Sequence, residues 1–426
     1  MIKKYFQRLA SSAGSGTFVR NASILVSGTI IARVVAAASL PLLTRLYSPE
    51  DFRLLAIIMS LTTLVTVISS LRFNVAVPIP ERDEDAVNLL ALCILICLLI
   101  SAGCIGVAAI YYWTGQGGSS LDMSAMIWLV PLAILGSAVF QALLSWHLRK
   151  KNFKLITQTR VIRAIGAAGV QITFGLIGYT YLGLQLGYLV YCSLGIVALF
   201  NGFWQKNSDL LQSISKRNLR EKFVEYKRFP VFSVPEALAN TAGLHVPILI
   251  IAAIGPKSEA GHLALAMQVM GVPMSLIGSS VAQVYLSEAP ERFRAGTLRR
   301  FTVTTTKNLF KIGIPVIGGI ALLAPLVFPI VFGAQWARAG EIILWMAPMY
   351  IFQFATSPVS RALHVSGRLK LAMSLQIFGL IIRIIPLLVI AGVGSGFITE
   401  TFAVFSFIFY IIYLFIVLRA IPLEEK

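Results

Sequence analysis

A chain of 426 residues that is 57% apolar and only 13% charged, with mean hydropathy +0.82, falls outside the composition of soluble domains, in which about a quarter of residues carry charge. The formal net charge of +18 raises the question of a nucleic-acid partner, but no segment joins a basic patch to a soluble fold able to present it, so that class is excluded. The composition is that of an all-α integral membrane protein, and positive-inside bias accounts for most of the charge.

Apolar runs of helix length occur at roughly 22–46, 54–77, 86–112, 125–147, 161–180, 183–204, 231–254, 262–287, 309–333, 341–363, 369–393 and 397–418. At about 1.5 Å per residue such runs cross a hydrocarbon core of about 30 Å, so twelve transmembrane helices are predicted, with short breaks at Gly178–Gly183 and Gly392–Gly396. The first run is too long for a signal-peptide h-region and no small-residue cleavage site follows, so it is read as the first span. Alternate loops hold nearly all of the 36 Lys and Arg. The opposite loops hold Arg45, Arg53, Lys257 and Arg338, while Arg33, Arg163 and Arg383 fall within runs. Both termini are therefore expected on the cytoplasmic side.

Arg33 sits in the middle of the first run, Asn21 to Leu46. A guanidinium at mid-bilayer costs at least about 2.5–3.5 kcal/mol on the most lenient scale, so it must face water, a partner, an anionic ligand or neighbouring carbonyls. Thr29 one turn before and Ala36 and Ala37 one turn after leave room on that side. Arg33 is read as lining a cavity.

Farther along, Glu81, Asp83, Glu84 and Asp85 have the look of a metal-binding carboxylate group, but no nucleotide-binding domain surrounds them, and a solvated loop is expected. Cys93, Cys97, Cys104 and Cys192 all lie inside apolar runs without the donors a zinc site needs, and are read as packing residues. The largest connection, Gln205 to Pro230, is basic and divides the chain into an N-lobe (1–204), a linker (205–230) suited to anionic headgroups, and a C-lobe (231–426). Outward loops are short, the longest about a dozen residues at Trp113 to Ser124, leaving no room for an external catalytic domain.

The halves echo each other. Leu40-Pro41-Leu42-Leu43 leading to Ser48-Pro49-Glu50 is matched by Val246-Pro247-Ile248-Leu249 leading to Gly255-Pro256-Lys257, and Ser69-Ser70 by Ser279-Ser280. Six spans per unit is an even number, so the two six-helix lobes share one orientation about an axis along the membrane normal, a plan suited to rocking transport.

Several runs carry polar stripes at helical spacing that should turn inward. They include Arg163 with Gln171, Gln376 with Arg383, Gln268 with Ser275, Ser279 and Gln283, and Gln353 with Thr356, Ser357 and Ser360, Arg361 adjoining. Glu236, on one face with Ser233, Asn240 and Gly243, is the only carboxylate well inside a run. It could be a proton or sodium site or an ion-pair partner of a buried arginine. His245 farther along could relay a proton or fill space with a hydrogen bond. Pro235, Pro247, Pro273, Pro315, Pro325 and Pro329 are candidate hinges. Three arginines against one glutamate within the spans favour an anionic cargo, which bidentate donors suit, over a cationic one.

Pro41-Leu42-Leu43-Thr44-Arg45-Leu46-Tyr47-Ser48-Pro49-Glu50-Asp51-Phe52 and Leu71-Arg72-Phe73-Asn74-Val75-Ala76-Val77-Pro78 resemble the opening of Wzx-type polysaccharide (O-antigen) flippases of the MOP transporter superfamily. Gly261-His262-Leu263-Ala264-Leu265-Ala266, Val281-Ala282-Gln283-Val284 and Phe332-Gly333-Ala334-Gln335-Trp336-Ala337-Arg338-Ala339-Gly340 agree in the second half. Arg53 stands where a glycine is usual and Asn74 where an acid is usual, which weakens any ion relay there.

The resemblance implies a MATE-like V-shaped bundle in the bacterial inner membrane that is not an enzyme. It would move undecaprenyl-pyrophosphate-linked oligosaccharide from the cytoplasmic to the outer leaflet for O-antigen or capsule assembly, beside a polymerase and chain-length machinery. On that reading Arg33, Arg163, Arg383, Arg361, Gln171, Gln268, Gln283, Gln353 and Gln376 bind substrate, and Glu236 and His245 serve a coupling ion, H+ or Na+; no other cofactor is expected. The alternatives are a MATE-like antiporter, which would want acids in its first lobe, a lipid II flippase of the MurJ class, and a membrane polymerase or ligase, which would want a longer outward loop.

Overall fold

A bilayer offers no water to backbone polar groups, so a chain of this composition must satisfy them within helices. The computed structural model describes residues 16–114, 121–393 and 396–421, with side chains omitted for 16–26, 121–126, 279, 280, 283, 287 and 369. Among the described residues all regular structure is helical. The first half contains α1 (Gly16–Leu46), α2 (Pro49–Ser69), a short α3 (Phe73–Ala76), α4 (Asp83–Trp113), α5 (Leu121–Arg149), α6 (Phe153–Ile177), α7 (Thr180–Ser193) and α8 (Ile196–Asn207). After α9 (Lys216–Glu225) come α10 (Val234–Ile254), α11 (Glu259–Arg294), α12 (Leu298–Phe332), α13 (Ala337–Val359), α14 (Arg361–Val365), α15 (Leu369–Val393) and α16 (Ile398–Ala420). Among the described residues, 12 segments are long and apolar enough to cross a membrane.

The helices depart from the apolar runs where local chemistry intervenes. The second run stops at Ser69 because Leu71 (φ 46°) and Arg72 (φ 62°) take left-handed conformations, setting Arg72 at a corner. The sixth span is interrupted at Gly195 (φ 98°), between α7 and α8. The α6 helix starts at Phe153, eight residues before the apolar run, which brings Arg160 inside a helix. Charged turns prolong α11 to Arg294 and start α12 at Leu298, beyond the apolar stretches themselves.

The ends of the bundle are called here the basic end, where the Lys- and Arg-rich loops lie, and the far end. At the basic end the acidic cluster is not a free loop. Glu81 and Glu84 are exposed, but Asp83 pairs with Arg149 (3.0 Å) and Lys150, and Asp85 pairs with Lys222 at 2.9 Å. Lys222 also holds Glu225 at 2.8 Å; burial alone would pull its pKa down, but the two carboxylates push it up to about 12. With Asn88 bonded to the Ser213 carbonyl (3.2 Å) and Phe223 against Phe73, the linker helix α9 is fastened to the first lobe. Cys93, Cys97 and Cys192 are buried free thiols, and Cys104 is half-buried.

At the far end the lobes meet. The last four carbonyls of a helix lack intrahelical donors, and here each lobe supplies donors to the other. The Thr44 carbonyl of α1 accepts from Trp336 Nε1 (2.9 Å) and Gln335 Nε2 (3.0 Å), and the Ala252 carbonyl of α10 accepts from Arg53 Nε at 3.1 Å. The arginine that departs from the flippase pattern thus caps the opposite lobe. Phe52 stacks edge-on against Trp336 at 4.8 Å, and one apolar core runs continuously from Leu40, Leu43 and Phe52 to Ile251, Leu263 and Ile343. The approach is closest at Gly261, where a Cβ would lie 1.8 Å from the Pro49 carbonyl oxygen. Beside it Arg338 binds Glu259 (2.9 Å), Glu341 (3.1 Å) and Glu400 (2.6 Å), tying α11, α13 and α16 together.

Gly261→Ala should therefore hold the far ends apart. In a background freed of native cysteines, disulfide capture between Thr44→Cys and Gln335→Cys should fall at least several-fold on adding Gly261→Ala; unchanged capture would show that the contact does not limit closure.

Candidate functional site

Away from the far end the two inter-lobe seams differ. The α2–α10 seam stays closed: His245 Nδ1 lies 3.1 Å from Ser60 Oγ, and at the basic end Arg72 Nε donates to Ser233 Oγ at 3.4 Å. Along the other seam, α1 and α11 lose burial. From Ser27 to Ala38, Gly28 is the only buried residue of α1, and no described side chain of α11 from Gly271 to Ala282 is buried. The lobes are thus joined at the far end and part along α1 and α11 toward the basic end.

Two groups of charged side chains lie away from the far end, one on α1 and α6 and one on the closed α2–α10 seam. Arg33 is exposed on α1, on the side of the helix that carries Thr29. Thr29 accepts from Arg160 Nη1 at 2.6 Å, and the positive field of Arg33 reaches Arg160. An exposed Arg33 about 20 Å along α1 from its far end needs water or an anion in front of it. The second group sits where α2 and α10 end. Glu236 Oε1 is 2.9 Å from His364 Nε2, and the field at Arg72 contains both Glu236 and the exposed Arg361. Burial pulls the Arg72 pKa down, Glu236 opposes that shift, and Arg361 reinforces it.

Arg163 and Arg383 are held inside their lobes, although the field of Arg163 also reaches Arg160. Each is enclosed in its own lobe by a tyrosine from the following span. Arg163 donates to the Tyr191 carbonyl, with its guanidinium 3.7 Å from the Phe140 ring centroid and 4.3 Å from that of Tyr191. Arg383, 2% exposed, donates to Ser406 Oγ (3.2 Å), bonds Tyr410 and lies 4.3 Å over Phe409. A Cβ on Gly243 would come within 2.6 Å of Arg383 Nη1, so α10 closes over it. The physical reason is available acceptors and rings: a guanidinium that finds a carbonyl, a hydroxyl and aromatic faces inside a lobe loses its need for the cleft. Of the arginines read together from sequence as substrate-binding, Arg33 is exposed while Arg163 and Arg383 are enclosed.

Of the glutamines, Gln171 bonds the Leu184 carbonyl (3.3 Å) and Gln376 bonds Tyr413, both between helices of one lobe. Gln268 is half-buried on α11, and Gln353 Oε1 is buried without a partner among the described groups. The side chains of Gln283, Ser279 and Ser280 lie outside the described residues, as do Lys3, Lys4 and Arg8 and the tip of the Trp113 to Ser124 loop. Arg160, Arg72 and His364 were not singled out from sequence. Arg160 precedes Arg163 by one helical turn on the same face, a signal hidden by placing the helix start too late.

The architecture, twelve candidate spans in an all-helical bundle, defines a multi-pass membrane protein of the fold seen in MOP-type transporters. The structure of lipid II flippase MurJ in an inward closed conformation superposes with a TM-score of 0.66 at 15% identity, over 92% of this chain and 87% of that one. An outward-facing multidrug resistance MATE transporter of the MOP superfamily follows at 0.57 and 13%, covering 95% and 96%. A mutant of the Vibrio cholerae MATE transporter VcmN gives 0.54 and 11%, covering 94% and 93%. In sequence, residues 42–341 match the polysaccharide biosynthesis protein family, and the chain belongs to that family. A 149-residue stretch is 24% identical to the teichuronic acid biosynthesis protein TuaB of Bacillus subtilis (strain 168), spanning 35% of this chain and 31% of that protein.

If Arg163 and Arg383 act as enclosed lobe cations, Arg163→Met and Arg383→Met should each lower stability by about 2 kcal/mol, the scale of a desolvated cation–π contact. Arg33→Gln should leave stability unchanged. Thermal unfolding in detergent distinguishes the two classes.

Proposed function

We propose that this protein flips polyprenyl-pyrophosphate-linked oligosaccharide units, with undecaprenyl as the bacterial carrier, across the cytoplasmic membrane for O-antigen, capsule or a related surface polysaccharide. The observation that carries the reading is the exposed Arg33 on the α1 flank that parts toward the basic end, with the half-buried Arg160 of α6 donating to Thr29 one turn away on the same helix, while the far end is latched shut. With the basic end and both termini in the cytoplasm, as the charge partition favours, the site is open to a substrate loaded from the inner leaflet. Guanidinium groups offer bidentate donors to a pyrophosphate, and the gap between α1 and α11 leaves the polyprenyl tail in lipid. Rocking of the lobes about the far-end latch then carries the polar head across without exposing it to hydrocarbon. Family membership and the likeness to a lipid II flippase support a lipid-linked anionic substrate. Polymerase and chain-length proteins would take the product on the outer side.

Arg33→Glu and Arg160→Glu should each slow flipping of a polyprenyl-pyrophosphate sugar in reconstituted vesicles at least tenfold. A wild-type rate in both would remove the pair from the site and with it the basis of this reading. Lipid II is the second reading, favoured by the MurJ likeness, and competition between the two substrates in the same vesicles decides between them.

Ion coupling in this scheme rests on Glu236, held by His364 and facing Arg72, with His245 on the closed seam as a further proton-exchanging group. Glu236→Gln should make transport indifferent to an imposed H+ or Na+ gradient; a gradient response equal to wild type would eliminate the coupling role.

A further inference from the structure

The first lobe contains a polar cavity of about 120 Å³ between α2, α5 and α7, with Arg72 and Asn74 on its wall. At about 30 Å³ per water, it would hold roughly four water molecules. Its wall combines hydroxyls (Thr63, Thr66, Ser137, Tyr188) with the amides of Asn74 and Gln141, and among the described residues no carboxylate lines it. The only charge on that wall is the Arg72 guanidinium. Thr66, 8% exposed, has an Oγ1 with no hydrogen-bond partner among the described groups. Ser70 Oγ donates to Asn74 Oδ1 at 2.9 Å, so the unspent part of that amide is its NH2 group.

We propose that this cavity is a binding site for a small monovalent anion of halide size, with Thr66, Asn74 and Arg72 as its principal donors. A cation would meet a guanidinium without any compensating carboxylate, whereas an anion receives hydroxyl, amide and charge-assisted donors and neutralises a half-buried arginine. Because Arg72 also reaches Ser233 and is drawn toward Glu236 on the other lobe, a bound anion competes with the closed α2–α10 seam for the same side chain. The site is separate from the arginine pair proposed to hold substrate and does not rest on that assignment.

The test is thermal unfolding of the purified full-length protein, without lipid-linked glycan, in sodium chloride, bromide, phosphate or gluconate at equal ionic strength. The expected result is a saturable rise of several degrees in chloride and bromide over gluconate, lost in Thr66→Val and in Asn74→Asp, which places a carboxylate on the wall. A wild-type protein indifferent to halide, or variants that keep the full rise, would overturn the proposal in favour of water alone. A rise specific to phosphate would overturn it in favour of a headgroup subsite. Should Asn74→Asp fail to fold, bromide anomalous scattering from crystals of the wild type should place a peak within about 4 Å of Thr66 Oγ1, in contact range of that hydroxyl. No peak at saturating bromide overturns the site independently.

Discussion

Two helix ends without internal hydrogen-bond donors organise this protein. The carbonyls that close α1 and α10 lie at the far end, where leaving them unpaired away from water costs on the order of a few kcal/mol each. The Leu43 and Ile251 carbonyls find donors in their own lobe, but those of Thr44 and Ala252 do so across the lobes. Trp336 and Gln335 of the second lobe serve Thr44, and Arg53 of the first serves Ala252, so the lobes exchange caps. Gly261 allows the exchange by removing the one Cβ that would keep α11 from the Pro49 carbonyl. With that end fastened and the α2–α10 seam held by His245 and Arg72, the remaining freedom is for α1 to part from α11 toward the basic end.

The enclosed arginines tie the helices of each lobe together. Arg163 and Arg383 occupy the fifth span of their respective lobes and are clasped by Tyr191 and Tyr410 of the sixth, the same arrangement in each lobe. A guanidinium enclosed among aromatic faces couples two helices over a short distance and leaves no polar group toward lipid. The second lobe adds Arg338, whose three carboxylate partners fasten α11, α13 and α16 at the far end. Rigid lobes joined at one end suit transport better than a bundle whose helices shift separately.

The remaining charges are arranged differently. Arg33 is exposed on α1 with the half-buried Arg160 bonded to Thr29 beside it, while Arg72, Glu236, Arg361 and His364 gather where α2 and α10 end. Only the second includes a carboxylate, Glu236, which His364 holds at 2.9 Å.

The sequence by itself determined the class, twelve membrane spans in two lobes, because hydrocarbon imposes a length and a polarity on every span that can be read residue by residue. The family was also legible, in the stretches from Pro41 to Phe52 and from Phe332 to Gly340, and those stretches prove to hold the far-end latch. What only the tertiary structure decided is which polar groups face each other. Helical periodicity puts Arg163, Gln171, Gln376 and Arg383 on inward faces, but inward has two meanings in a two-lobed bundle, the interior of a lobe and the cleft between lobes, and the period of 3.6 does not separate them. Partners make that distinction: Tyr191 and Tyr410 drew two arginines into their lobes, while Arg33, with no such ring beside it among the described residues, stayed exposed.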